Sequence, residues 1–391
     1  MISPVEYVNN IYNIDEHITR GVSIQAHISD IHFGIIDPET EYDILTEQFT
    51  NKIAKLQQLD CIAIDGDLFD RLMMSNCDAI MYACLFVNDL VQICKNNKLR
   101  GIHTVLVLLA GTRNHDAGQL RLFYPYLDDP DVDIRIIESS PSFENINGCN
   151  VLCIPELYSL PNSVYNEYFY NSGCYDMVFG HGSIVGSVID NGQSLSRFFK
   201  PDDFDFCTGP VIFGHVHTGG NFHGFCYYNG SPIRWCFGEE QTKGFQLVLY
   251  DMDSKRYYIH KEPIYSFKYI TMNIDDMLSS DPDEVIDYIK KKKEAEKIDY
   301  IRLTCLSTEQ TKANINILRD YYKTDKTVKF KIDTDEDKRK IEKNNAELYD
   351  KYKYFFDKSL SPYDIFARFV NESQQDIIVT ADKIIDVLKN Y

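Results

Sequence analysis

The stretch Cys61-Ile62-Ala63-Ile64-Asp65-Gly66-Asp67 constrains this chain more than any other. An apolar run of strand length that stops at a glycine and delivers a carboxylate brings charge to the carboxyl edge of an α/β sheet, where ligand sites collect. Four other segments close in the same way: Asp30-Ile31-His32, Asn114-His115-Asp116, Gly180-His181-Gly182 and Gly214-His215-Val216-His217. Five of the ten histidines thus stand at strand ends, beside Asp30, Asp67 and Asn114. Imidazoles, carboxylates and an amide without thiolate suit Mn, Fe or Zn in a reactive site better than a structural zinc. Eight such donors are also too many for one tetrahedral ion, so two metal ions bridged by Asp67 are expected. His17, His27, His103, His223 and His260 lack this setting and read as structural.

The segments between these ends have the spacing of a parallel-sheet protein. Residues 22–31 alternate like a strand, and Asp30 and His32, two apart, would share one face of an extended chain. Residues 41–58 place Ile44, Phe49, Ile53 and Leu56 on one helical side, ahead of the strand at 61–70; strand, helix, strand favours parallel pairing. A second helix is expected over 76–97 and a strand over 103–109. A helical piece and two short strands follow within 119–155, broken by Pro130 and Pro141, then strands at 176–180 and 210–214. Later, strands at 300–306 and 328–332 with helices at 282–297 and 311–322 make a smaller α/β unit. Residues 333–343 read as a charged linker. Helices at 346–360 and 362–370 carry apolar stripes, Leu348, Tyr352, Phe355 and Phe356 on one and Ile365, Phe366 and Phe369 on the other, for packing or docking.

Bulk properties narrow the function. A chain of 391 residues that is 44% hydrophobic can bury two or three cores. The formal charge of -19 argues against nucleic acid in total, yet residues 290–343 hold 16 Lys and Arg against 11 Asp and Glu. Eleven cysteines, an odd number without a CxxC pair, fit reduced thiols in a cytoplasmic protein, and Cys61, Cys149 and Cys153 behave as small hydrophobes. The polar, acidic first twenty residues are no leader, and no apolar run is long enough to span a membrane. There is no phosphate-binding GxxxxGK[ST] loop.

In order, Asp-x-His, Gly-Asp-x-x-Asp, Asn-His-Asp, Gly-His and Gly-His-x-His resemble the calcineurin-like metallophosphoesterases over about residues 22–250. The resemblance implies an α/β sandwich of two β-sheets flanked by helices. One departure is Gly111-Thr112-Arg113-Asn114, where the family has glycine directly before asparagine; the longer turn could aim Arg113 at a substrate phosphate. The segment from Tyr228 to Phe245 is similar to the hairpin after the last histidines of SbcD-type nucleases, found in bacteria, phages and eukaryotes. That likeness implies an extension (1–21), a nuclease domain (22–262), a capping domain (263–335) and C-terminal helices (336–391) that bind an SbcC-type ATPase, in a homodimer.

By the same resemblance, one ion would be held by Asp30, His32, Asp67 and His217, and the second by Asp67, Asn114, His181 and His215. His115 would stay free of metal to stabilise the transition state or protonate the leaving oxygen, oriented by Asp70 or Asp116. The implied activity is a Mn²⁺-dependent DNA exonuclease and endonuclease of repair and recombination. A small-substrate phosphoesterase and a non-catalytic scaffold are the alternatives.

Overall fold

In β2 (Cys61–Asp65) alternate side chains enter two different cores: Cys61 and Ala63 face a second sheet, Ile62 and Ile64 face helices. The same alternation in the neighbouring strands makes a layered sandwich. The computed structural model describes residues 21–157, 165, 169, 175–188, 198–239 and 242–334. The chain divides into Met1–Tyr269 and Ile270–Tyr391.

The first sheet runs β12 (Tyr257–Pro263), β11 (Gly244–Asp251), β1 (Val22–Ile28), β2, β3 (Val105–Leu109) and β4 (Asp133–Ile137). Strands β1 to β4 are parallel and β11 and β12 pair antiparallel on the far side. The second sheet runs β5 (Ser142–Ile146), β6 (Cys149–Ile154), β7 (Met177–His181), β8 (Val211–Gly214), β10 (Cys226–Tyr228) and β9 (Gly220–His223). Between the sheets lie Val105, Val107, Cys153, Met177, Phe179 and Ile212. Against the outer face of the second sheet pack Tyr165, Phe199 and Phe204. All ten described cysteines are free thiols.

Helices cover the first sheet. Helix α1 (Pro38–Leu45) starts earlier than its apolar stripe indicates. Asp37 caps it, accepting the Thr40 amide at 3.0 Å, and Pro38 sits in the first turn. The helix widens into a π turn over Thr46–Thr50 and ends with Asn51–Ile53, short of the expected 58. With α2 (Asp78–Leu99) it buries Leu45, Phe49, Phe86 and Leu90 against Ile24, Ile62 and Leu106, each worth about 1.5–3 kcal/mol. No helix among the described residues is long and apolar enough to cross a membrane.

Two expectations change. Residues 119–155 hold three strands rather than two, because Asn147 and Gly148 both take positive φ and close a tight β5–β6 hairpin. The described residues between β10 and β11 form an irregular loop, not a hairpin, with Glu239 satisfying the Trp235 and Cys236 amides in place of a strand partner. A polar layer also enters the sandwich: Asp65 meets His27 Nδ1 and Asn229 Nδ2, both at 2.8 Å. His27, fully buried there, is a structural residue.

The second unit has its own core of Ile286, Ile289, Ile301, Leu303 and Leu318. Its sheet runs β13 (Tyr269–Asn273), β14 (Tyr300–Ser307) and β15 (Val328–Thr334), the last two parallel. Two helices, Pro282–Glu296 and Lys312–Tyr321, pack with it. The lysine run is engaged locally: Lys291 pairs with Asp287, Lys292 with Glu296, and Lys293 donates to Thr327. The expected linker begins within β15, which keeps Asp333 and Thr334 in the strand; its remainder, the C-terminal helices and residues 1–20 of the extension lie outside the described residues.

Candidate metal centre

Three neighbouring strands from each sheet deliver the site. From the first sheet, Asp30 and His32 follow β1, Asp67 follows β2, and His115 sits on a short turn of helix, α3 (Arg113–Asp116), after β3. From the second, Glu156 follows β6, His181 ends β7, and His215 and His217 follow β8.

The backbone here is bent rather than extended. Asp30, His32, Asp67 and His215 have φ of 52°, 58°, 54° and 101°, a region that costs non-glycine residues about 1–2 kcal/mol each. Asp30 and His32 therefore converge through left-handed turns, not by sharing a strand face. Hydrogen bonds hold them: Asp30 N–H to Gly66 O at 3.0 Å, His32 N–H to Asp67 O at 3.1 Å, and His215 N–H to Asp30 Oδ1 at 2.9 Å. Gly66 must be glycine, since at φ 88° a Cβ would lie 2.2 Å from His181 Nδ1.

Four overlapping groups of side chains, each with ligand atoms within 4.8 Å of one another, fill this space: Asp30, His32 and His217; His32, Asp67 and His115; Asp30, Asp67 and His181; Glu156, His181 and His215. His32 Nε2 faces His217 Nε2 at 3.3 Å, and His181 Nε2 lies 3.2 Å from Asp67 Oδ2 and 3.4 Å from Glu156 Oε2. His217 Nε2 is 3.7 Å from Asp30 Oδ1. Among the described residues, buried His115 Nδ1 and Glu156 Oε1 have no hydrogen-bond partner. Buried polar atoms left this way cost free energy unless a ligand uses them. Nitrogen and oxygen donors packed so closely fit divalent cations.

The electrostatics agree. Burial lowers the pKa of His32 to about 3 and that of His215 to about 3, leaving neutral rings with lone pairs to donate. Burial also raises Asp30, and it pushes Glu156 up to about 8. Asp67 sits well below the ordinary carboxylate range although burial opposes this, because His181 and His32 stand beside it. His181 is held well above its usual value against burial by Asp67 and Glu156.

Of the residues named from sequence, Asp30, His32, Asp67, His115, His181, His215 and His217 come together. Asn114 does not join these groups by any hydrogen bond among the described residues; it is exposed on α3, as is Arg113. Asp70 pairs with Arg71 at 3.5 Å. Asp116 is fully buried and accepts from the Asp67, Gly111 and Phe69 amides, so it ties two site loops together. Neither carboxylate hydrogen-bonds the His115 ring among the described residues.

Sequence reasoning missed Glu156, which follows a proline with no histidine or glycine signature. It also missed Thr112, whose hydroxyl meets Asp67 Oδ2 at 3.1 Å and Glu156 Oε2 at 3.4 Å. The third miss is the wall around Trp235, whose ring centroid lies 5.3 Å from His32 and 5.1 Å from His217. Behind it, the buried Lys243 ammonium joins Glu239 at 2.8 Å, Ser231 at 2.7 Å and the His217 carbonyl at 3.0 Å.

A two-sheet sandwich with paired His and Asp donors at its strand ends defines a metal-dependent hydrolase of phosphoesters. Residues 25–219 match the calcineurin-like phosphoesterase family, so the chain carries a calcineurin-like phosphoesterase domain. No curated protein matches the chain.

Proposed function

We propose that this phosphoesterase is a DNA nuclease, working with an SbcC-type ATPase in repair and recombination. The observation that carries the reading is the loop after β10. Its sequence is similar to SbcD-type nucleases, and it borders the donor cluster: Trp235 stands 5.1 Å from His217, and Lys243 bonds the His217 carbonyl. A planar indole beside a phosphate-hydrolysing centre suits a nucleobase-bearing substrate.

Asp30, His32, Asp67 and His217 would hold one divalent cation, Asp67, His181 and His215 part of a second, with Mn²⁺ the favoured ion. Such cations supply Lewis-acid activation of water and neutralise charge on the phosphoryl oxygens. His115, half-buried with its ring centroid 4.7 Å from His32, is the group to hold a proton for the leaving oxygen. Asp116 positions the loops on which Asp67 and His115 sit.

The test is degradation of linear and plasmid DNA with Mn²⁺, against hydrolysis of cyclic nucleotides. DNA cleavage abolished by chelation supports the reading. Turnover of the cyclic nucleotide alone would make the protein a small-substrate phosphodiesterase. Co-purification with a co-expressed SbcC-type ATPase, lost on deleting residues 344–391, tests the partner.

A further inference from the structure

We infer that Glu156 is a ligand of the second metal position, in the place that family resemblance gives to Asn114. The cation there meets a carboxylate and two imidazoles, with Asp67 shared, instead of a neutral amide.

Glu156 Oε2 lies 3.4 Å from His181 Nε2 and 3.5 Å from His215 Nδ1, the only carboxylate grouped with both rings among the described residues. Its side chain is fully buried and Oε1 has no hydrogen-bond partner among the described residues, so the structure places a buried acid on this spot with one of its oxygens left unsatisfied. Topology explains the aim: β6, β7 and β8 are adjacent, and Glu156, His181 and His215 leave their three carboxyl ends together.

The turn after β3 explains the vacancy that Glu156 fills. Gly111 has no room for a side chain, since a Cβ would lie 2.3 Å from Asp67 Oδ1. The next residue is Thr112, whose amide donates to Asp67 Oδ1 at 2.5 Å. A threonine hydroxyl is too short and too weak a donor to replace the amide oxygen, so it orients the two carboxylates instead. Thr112 and Arg113 displace Asn114 onto the exposed side of α3. The exchange adds a negative charge and a hard oxygen donor, which strengthens binding of ions such as Mn²⁺.

The inference rests on the two-metal reading of the cluster, and one experiment separates them. Free Mn²⁺ is followed by electron paramagnetic resonance as it is titrated into the full-length protein. The wild-type chain should bind two ions. Glu156→Gln should keep the first and weaken the second by at least about tenfold, while Asn114→Ala binds both as the wild type does. Glu156→Asp, which keeps the charge and withdraws it by one methylene, gives the same reading if Glu156→Gln does not fold. Two ions bound with unchanged affinity by a Glu156 variant, or one lost in Asn114→Ala, overturns the role of Glu156 alone. Fewer than two ions on the wild-type protein overturns the two-metal reading and this inference with it.

Discussion

His181 donates its Nδ1 proton to the main-chain carbonyl of Asp65 at 2.7 Å, and this bond turns Nε2 towards Asp67 and Glu156. The carbonyl belongs to the last residue of β2, so the sheet itself orients the ring. Gly66→Ala attacks that contact, because the new Cβ would lie 2.2 Å from Nδ1 on a backbone at φ 88°. The variant should lose at least about 2 kcal/mol of stability and bind Mn²⁺ more weakly, measured by urea unfolding and metal titration. Wild-type affinity in Gly66→Ala would mean that the ring is oriented by something else.

His115→Ala should retain both metal ions while DNA cleavage falls by about 10²–10⁴-fold, the usual worth of a positioned acid. Stoichiometry and single-turnover cleavage on the same preparation decide it. Because His115 also lies within ligand distance of His32 and Asp67, loss of an ion in the variant would make it a ligand rather than a proton donor.

Lys243→Met should destabilise the protein by about 3–5 kcal/mol, since it strands the buried Glu239 carboxylate. Adding Glu239→Gln to it should recover part of that loss. Trp235, the one tryptophan of the chain, reports the transition by its fluorescence. A Glu239→Gln change that costs as much in the Lys243→Met background as in the wild type would show that the pair is not coupled.

Glu41 gives a pH signature away from the cluster. It is fully buried on α1, Oε2 accepts the Gly34 amide at 3.3 Å and, among the described residues, Oε1 has no hydrogen-bond partner. Burial, with Asp70 nearby, pushes its pKa well above the usual carboxylate range. The folded state therefore prefers the protonated acid. The stability this gives is complete below the unfolded value and is lost as pH rises towards the folded one, at about 1.4 kcal/mol per unit of elevation. Melting from about pH 5 to about pH 8 should show wild type losing stability relative to Glu41→Gln. Parallel curves would refute the shift.

The parallel strands were legible because they are short apolar runs stopped by Gly, Asp or His, and their shared edge follows from α/β topology. The hairpin at Asn147-Gly148 carried a readable turn signal that the proline breaks at 130 and 141 overshadowed. What periodicity cannot show is backbone handedness, so the left-handed bends that bring Asp30 to His32 look like an ordinary strand end in sequence. Glu156 was hidden for another reason: a lone acid after Pro155 gains its meaning only from lying beside β7 and β8. Trp235 and Lys243 approach His217 across a loop, a contact with no spacing rule.

The central claim is that Asp67 is shared by two cations. An anomalous difference map from crystals soaked in Mn²⁺ tests it most directly. Two peaks about 3.5–4 Å apart, one on either side of the Asp67 carboxylate, are predicted; a single peak, or two that do not share Asp67, would contradict the account.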